Sequence, residues 1–181
     1  IGTFDWTNDT DKATFVADST LSGEIGITTQ NTAKVLSADF SKAAAGIKFT
    51  GDASVTSFTG GAGNDTLIGD DATTDINAGA GNDLVSLAAG ATKTTVTLGA
   101  GADTLDISAV TGNGNNKVFD YNYFEGDVIK VTTGDSVTLN ADGAATVGTA
   151  SVSRVVADKV AIQDNWYGVK VNDGTADVDY F

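Results

Sequence analysis

A nine-residue pattern occurs three times near the middle of the chain and constrains its fold more than any other feature. Residues 60–68 are GGAGNDTLI, residues 78–86 are AGAGNDLVS and residues 98–106 are LGAGADTLD. Each copy has glycine at its second and fourth places, aspartate at its sixth and an aliphatic residue at its eighth. A short fixed period of this kind is typical of a solenoid, in which each unit buries its apolar residues against its neighbours.

The apolar eighth place also recurs between the motif copies and before them. It falls every nine residues, with one step of 11, at Phe58, Leu67, Ile76, Val85, Val96 and Leu105. Three residues of strand and six of turn account for each unit, so two units make one coil of 18 residues. Two parallel sheets then face each other across a thin core. The sequence therefore predicts an all-β fold built on a short right-handed parallel β-roll.

The three intact motif turns are predicted to lie on the same edge of this roll. Asp83 follows Asp65 by 18 residues, and Asp103 follows Asp83 by 20, with the two extra residues assigned to the turn Leu87–Thr95. The alternate turns, Gly69–Thr74 and Leu87–Thr95, lack the Gly-x-Gly-x-Asp pattern and fall on the opposite edge. A roll held only by packing has no reason to keep these residues on one edge, which is therefore the candidate functional site.

Glycine and aspartate at these places suit a cation site built from turns. Glycine takes positive φ without steric cost, so the second and fourth places can curl the backbone and turn its carbonyl oxygens outward. Aspartate at the sixth place adds a carboxylate. Calcium binds six to eight such oxygens in flexible geometry, whereas magnesium needs a tighter octahedron. The predicted ligands are the carboxylates of Asp65, Asp83 and Asp103 and the turn backbone at Gly61, Gly63, Gly79, Gly81, Gly99 and Gly101.

Neighbouring turns of such a roll lie about 4.8 Å apart, so two of them can enclose one ion. Three turns predict two calcium sites, one on each side of Asp83, which is shared, with Asp65 and Asp103 as the outer ligands. A third site against the turn of Asp103 is left open. Weaker candidate ligands are Asn64, Asn82, Asp120 and Asp127.

Interpretations without calcium remain open for the acidic residues on both edges of the roll. The motif turns can be tight turns in which aspartate only bonds nearby backbone groups. On the opposite edge, Asp70, Asp71 and Asp75 are interpreted as solvated turn acids rather than as ligands of a loosely held ion.

The three repeats resemble those of the RTX, or haemolysin-type calcium-binding, family. The resemblance covers about 50 residues, and it implies secretion through a one-step ABC-type exporter, with folding outside the cell when calcium is met. Residues 34–58 look like the metal-free coils that lead into such repeats, and residues 116–131 look like the segment that follows them. The sequence departs from the family where Ala78 and Leu98 replace glycine at the first place, and the array is short.

The regions outside the repeats are also rich in strand-forming residues. We expect an N-terminal β cap or the end of a preceding module at residues 1–33, metal-free coils at 34–58, the calcium-binding roll at 59–115 and a C-terminal β cap at 116–181. Antiparallel hairpins are predicted in the last region, with turns at Asp142-Gly143 and Asp173-Gly174. Because the sequence contains no Met, we expect the chain to be a piece or a processed product of a longer protein.

Composition excludes several classes of function. The chain has no Cys and no His, which rules out disulfides, Cys-based metal sites and histidine ligands or bases. Its net charge of −14 argues against nucleic acid as a partner. All 24 acidic residues are aspartate except Glu24 and Glu125, and aspartate favours turns over helices. No apolar run is long enough to predict a transmembrane segment.

These observations favour a calcium-binding structural or interaction module of a secreted bacterial cell-surface protein, such as a surface layer or adhesin. The expected partners are calcium, a second copy of the chain or neighbouring domains of the same surface protein. The alternative is the C-terminal, secretion-supporting region of an exported enzyme or toxin whose catalytic domain lies upstream. Catalysis by this chain itself is not expected, because it has no His and Arg154 is its single arginine.

Overall fold

The computed structural model describes residues 2–6, 13–16, 19–20, 22–29, 36–52, 55–91, 93–111, 116–122, 124–131, 137–139, 145–147, 152–157, 169–172 and 177–180. Within these ranges the chain forms β-strands and turns, with no helix. No described segment is therefore an apolar helix of membrane-spanning length. The predicted all-β class is confirmed.

The described strands form two large sheets and one hairpin that belongs to neither of them. The nine-stranded sheet contains, in spatial order, β1 (Gly2–Trp6), β3 (Gly23–Thr29), β5 (Ile47–Thr50), β7 (Thr66–Ile68), β9 (Leu84–Ser86), β11 (Thr104–Asp106), β13 (Val128–Lys130), β17 (Val169–Asn172) and β18 (Asp177–Tyr180). The seven-stranded sheet contains β16 (Val152–Ala157), β12 (Asn116–Tyr121), β10 (Thr95–Thr97), β8 (Asp75–Asn77), β6 (Val55–Thr59), β4 (Leu36–Asp39) and β2 (Ala13–Val16). The hairpin pairs β14 (Val137–Leu139) with β15 (Ala145–Val147).

Successive strands in the repeat region alternate between the two large sheets, so each pair of strands and turns completes one coil. Strand β7 pairs in parallel with β9, where Thr66 lies opposite Leu84, and β9 pairs in parallel with β11, where Leu84 lies opposite Thr104. These partners are 18 and 20 residues apart, as the repeat predicts. The two extra residues lie between β9 and β10, since Asp75 of β8 already pairs with Thr95 of β10. The parallel β-roll is confirmed.

The core lies between the two sheets. A three-residue strand buries its middle side chain, because successive side chains point to opposite faces. The predicted core residues Phe58, Leu67, Ile76, Val85, Val96 and Leu105 are each at most 2% exposed. The ring of Phe49 packs at a tilt against Phe40 and edge-on against Phe58, with ring centroids 5.0 and 5.1 Å apart.

The roll extends further in both directions than the repeats alone indicate. Strands β1 and β2 pair in parallel with β3 and β4. Strands β16 and β17 likewise pair in parallel with β12 and β13. Among the described residues, antiparallel pairing is confined to β14–β15 and β17–β18, the two hairpins predicted from their turns. Alternating apolar residues indicate a strand but do not distinguish a parallel from an antiparallel partner.

Candidate metal site at the acidic edge

The turns that lead from the seven-stranded sheet to the nine-stranded sheet stack along one side of the roll. We call this side the acidic edge; its described turns comprise residues 40–46, 60–65, 78–83, 98–103 and, in the last turn, 122 and 124–127. Neighbouring turns bond directly through their backbones: Ala80 N donates to Gly61 O at 2.9 Å, and Ala100 N donates to Gly79 O at 3.0 Å. The three motif turns therefore stack as predicted.

This close stacking explains the glycines at the second and fourth places. A Cβ atom added at Gly61, Gly63, Gly79, Gly81, Gly99 or Gly101 would overlap the backbone of the preceding turn. The predicted positive φ occurs at Gly79, Gly81, Gly99 and Gly101, with values of 106°, 128°, 96° and 137°. Gly61 and Gly63 do not have positive φ. In the first motif turn, close approach alone requires glycine.

Four aspartates form a continuous ladder on the inner side of the acidic edge. Asp65, Asp83, Asp103 and Asp127 are at most 2% exposed. The Oδ1 atom of each aspartate accepts the backbone N–H of the residue at the equivalent position one coil earlier. The four donors, in order, are Ile47 at 2.9 Å, Asp65 at 2.8 Å, Asp83 at 2.8 Å and Asp103 at 3.0 Å. We call this set the aspartate ladder.

The second carboxylate oxygens of the ladder are not all satisfied. Asp65 Oδ2 accepts the Gly61 N–H at 2.8 Å, and Asp127 Oδ2 accepts the Asn122 N–H at 2.6 Å. Asp83 Oδ2 and Asp103 Oδ2 are buried without a hydrogen-bond partner, and no other buried side-chain N or O atom in the described ranges shares this state. A buried carboxylate oxygen without a partner is costly, more so than a neutral group.

The buried carboxylates hold protons more tightly than aspartate does in water. Burial raises the pKa of Asp83 to about 6 and that of Asp127 to about 6. For Asp103, burial and then the charges of Asp127, Asp83 and Asp120 raise the pKa to about 7, against the lowering effect of the bond from Asp83 N–H. Burial also raises the pKa of Asp65. The ladder therefore has more negative charge than its surroundings compensate.

The equivalent position one coil earlier in the same roll is apolar. Ile47 N–H donates to Asp65 just as Asp65 N–H donates to Asp83, so Ile47 occupies the ladder position one coil earlier. Its apolar side chain is 3% exposed and belongs to the core. A coil of this roll can thus place a hydrocarbon where later coils place a carboxylate.

The opposite edge gives a second comparison, because it has a neutral ladder. Thr73 Oγ1 donates to Val55 O at 3.1 Å, and Thr94 Oγ1 donates to Thr73 O at 2.8 Å. Asn116 continues the series by accepting the Thr94 N–H at 2.9 Å and donating to Ala91 O at 2.8 Å. These uncharged side chains are buried, and none of their buried polar atoms lacks a hydrogen-bond partner. Stacked turns can therefore be joined without carboxylates.

The fifth-place asparagines, weaker candidates for ligands, lie on the outer side of the acidic edge. Asn64 and Asn82 are exposed. Asn64 Oδ1 accepts the Asn82 N–H at 2.9 Å, and Asn82 Oδ1 accepts the Ala102 N–H at 3.0 Å. Their side-chain oxygens thus join successive turns on the exposed side of the acidic edge.

The C-terminal end of the acidic edge gathers further acids. Asp120, with a φ of 62°, accepts the N–H groups of Leu98 and Gly99 at 2.9 and 3.0 Å. Glu125 Oε2 accepts the Gly101 N–H at 3.4 Å. The repeat pattern did not indicate Glu125 and made Asp127 only a weaker candidate ligand, although Asp127 is a full member of the ladder. The spacing to Ile129 could have identified Asp127, because an aliphatic residue follows the motif aspartate by two positions. Ile129 is buried, as the eighth place of the motif requires.

The acids on the opposite edge show no such arrangement. Asp71 and Asp75 are exposed and Asp70 is partly exposed. Asp71 Oδ1 accepts the Gly90 N–H at 2.8 Å, and Asp75 Oδ2 accepts the Thr74 hydroxyl at 2.9 Å. These contacts fit the interpretation of solvated turn acids.

Side chains alone do not form a metal cage in the described part of the chain, where no three His, Cys, Asp or Glu residues are grouped to hold an ion. A cation at the ladder therefore needs backbone carbonyl oxygens beside the carboxylates, as the repeat predicts. Comparisons with protein-family models, curated proteins and solved structures give no match to this chain. Its function is therefore inferred from the geometry of the acidic edge.

Proposed function

We propose that this chain is a calcium-binding structural and interaction module of a secreted bacterial cell-surface protein, and that calcium stabilises its fold outside the cell. One observation carries the proposal. Asp83 and Asp103 each bury a carboxylate oxygen that has no hydrogen-bond partner, in a roll that elsewhere uses neutral residues at equivalent positions. A cation supplies the missing partner and the missing positive charge.

The available donor atoms favour calcium among the common biological cations. The acidic edge offers carboxylate and carbonyl oxygens, and the chain has no His or Cys, the ligands that zinc and copper prefer. Calcium accepts oxygens in variable number and geometry, which suits irregular turns. Magnesium requires a near-ideal octahedron and gives up water reluctantly, so it fits stacked turns less well.

The charge of the protein supports a role outside the cell. A net charge of −14 and a buried row of four aspartates oppose folding where calcium is scarce. Extracellular calcium modules bind with dissociation constants of about 10⁻⁴ to 10⁻³ M, so they fill where calcium is abundant. The resemblance of the repeats to RTX proteins supports the same location.

Calcium is expected to protect the roll against hydrogen exchange. A site with a dissociation constant of about 10⁻⁴ M, in about 1 mM calcium, adds roughly 1.4 kcal/mol to the free energy of unfolding. Chelation with EGTA should therefore increase exchange first in residues 60–108, while the flanking strands keep more of their protection. The measurement is hydrogen–deuterium exchange of the whole chain with calcium and with EGTA.

Two controls sharpen this experiment. Magnesium at the same concentration should not restore the protection that EGTA removes. The variant Asp70→Asn, which removes a partly exposed acid from the opposite edge, should respond to calcium as the unmodified chain does. Unchanged exchange in residues 60–108 after chelation, or equal protection by magnesium, would contradict the proposal.

A further inference from the structure

We infer that the acidic edge holds one calcium ion, bound between Asp83 and Asp103, and that Asp65 and Asp127 are positioning residues that close the two ends of the ladder. The inference rests on the proposed calcium-binding function. It differs from the arrangement expected from the repeats, in which two ions lie on either side of Asp83. The difference comes from the hydrogen bonds of the individual carboxylate oxygens.

The four carboxylates of the ladder divide into two kinds. In Asp65 and Asp127 both oxygens accept backbone N–H groups, at distances of 2.6 to 3.0 Å. In Asp83 and Asp103 only Oδ1 accepts such a bond, and Oδ2 is buried without a partner. The two inner members thus each keep one buried oxygen that no donor compensates, whereas backbone N–H groups already compensate both oxygens of the two outer members.

The conformation of each turn explains why the oxygens differ. In the first motif turn Gly61 does not have positive φ, and its N–H donates to Asp65 of the same turn. Gly79 and Gly99 occupy the same place in the next two turns and have φ values of 106° and 96°. Their turns do not form the corresponding bond to Asp83 and Asp103. The Gly99 N–H instead donates to Asp120.

Both ends of the ladder are closed within single turns. Asp65 follows a coil whose equivalent residue is the apolar Ile47, so no second carboxylate lies beyond it. Asp127 directs its Oδ2 to Asn122, five residues earlier in its own turn. These end members orient the row through backbone N–H groups, which also compensate part of their charge.

The spacing of the coils suits calcium between the two inner carboxylates. Equivalent atoms on adjacent parallel strands repeat at about 4.8 Å, so an ion midway between two equivalent oxygens lies about 2.4 Å from each. Calcium–oxygen distances are about 2.3–2.6 Å, whereas magnesium requires about 2.0–2.1 Å. Two carboxylates alone cannot complete the coordination, so backbone carbonyl oxygens of the adjoining turns would have to supply the remaining ligands.

The test is a calorimetric titration of the whole chain with calcium chloride. We expect one ion per chain. Asp83→Asn and Asp103→Asn should each weaken binding by about 100-fold or more, because each removes a charged ligand. Asp65→Asn and Asp127→Asn should keep one ion per chain and change the affinity by less than about tenfold. Asp70→Asn on the opposite edge is the matched control and should match the unmodified chain.

The possible outcomes separate this inference from the proposed function. Two ions per chain, with one lost in Asp65→Asn, would overturn the single site and leave the calcium function intact. The absence of any calcium heat, together with an unchanged circular-dichroism spectrum, would overturn both. If an inner variant fails to fold by circular dichroism, the stoichiometries of Asp65→Asn and Asp127→Asn still decide between one site and two.

Discussion

The metal-free protein is expected to be more stable at pH 5 than at pH 8, by several kcal/mol. Aspartate in an unfolded chain has a pKa near 4, whereas burial raises the pKa of Asp83 and Asp127 to about 6 and that of Asp103 to about 7. The folded state therefore binds protons more tightly than the unfolded state between about pH 4 and 7. This contribution is fully present below the unfolded pKa and is lost as the pH rises through the folded values.

The size of this effect makes it measurable by thermal unfolding in EGTA. Each pKa unit of difference corresponds to about 1.4 kcal/mol, so the ladder accounts for several kcal/mol of a total that is commonly 5–15 kcal/mol. We expect Tm to fall by about 10 °C or more from pH 5 to pH 8. The double variant Asp83→Asn/Asp103→Asn should flatten this dependence, because it removes the two carboxylates that lack partners.

Calcium should counteract the loss of stability that the metal-free protein shows between pH 5 and pH 8. The ion needs deprotonated carboxylates, so its apparent affinity should rise with pH over the range in which the metal-free protein loses stability. With saturating calcium, Tm at pH 8 should recover most of the loss. A metal-free protein that becomes more stable from pH 5 to pH 8 would show that the ladder is not a buried, undercompensated set of charges.

Replacing Gly99 by alanine is expected to destabilise the roll by about 4 kcal/mol or more, with or without calcium. Gly99 has a φ of 96°, which alanine adopts only under strain. The new Cβ would also overlap the carbonyl oxygen of Gly79 in the preceding turn. That carbonyl accepts the N–H of Ala100, so the two turns cannot separate without losing a bond between coils.

Gly69→Ala is the matched control for this substitution. Gly69 is buried in a turn of the opposite edge, and a Cβ added there would come no closer than 3.4 Å to Ile76 or Thr73. We expect a change of about 1 kcal/mol or less, within the range of ordinary substitutions. Urea unfolding of both variants compares them directly. A mild effect at Gly99, similar to that at Gly69, would contradict the close stacking of the motif turns.

The repeat contained enough information to predict the coil and its core. An aliphatic residue every nine positions can be buried in only one way when short strands alternate their side chains between two faces. The six eighth-place residues, from Phe58 to Leu105, are therefore in the core. The 20-residue step from Asp83 to Asp103 follows from the two extra residues before β10. The restriction of the glycine–aspartate turns to one edge follows from the same arithmetic.

The extent of the roll could not be predicted in this way. Short runs such as Thr3–Trp6 and Val169–Asn172 alternate apolar and polar residues, and such a pattern fits a parallel coil as well as a hairpin in a cap. Pairing of β1 with β3 and of β13 with β17 depends on strands distant in the sequence. The sequence does signal the turn of a hairpin, which is why β14–β15 and β17–β18 were predicted correctly.

Motif place alone made Asp65, Asp83 and Asp103 all ligands, with Asp83 shared between two sites, whereas their oxygens have different partners in the folded chain. The partner of Asp65 Oδ2 is an N–H of its own turn, and the partners of the Oδ1 atoms belong to the preceding coil. A nine-residue motif specifies which side chains face inward, because that depends on the local alternation of the strand. It does not specify which N–H groups reach each oxygen, because that depends on the backbone conformation of each turn and on the coil stacked beside it.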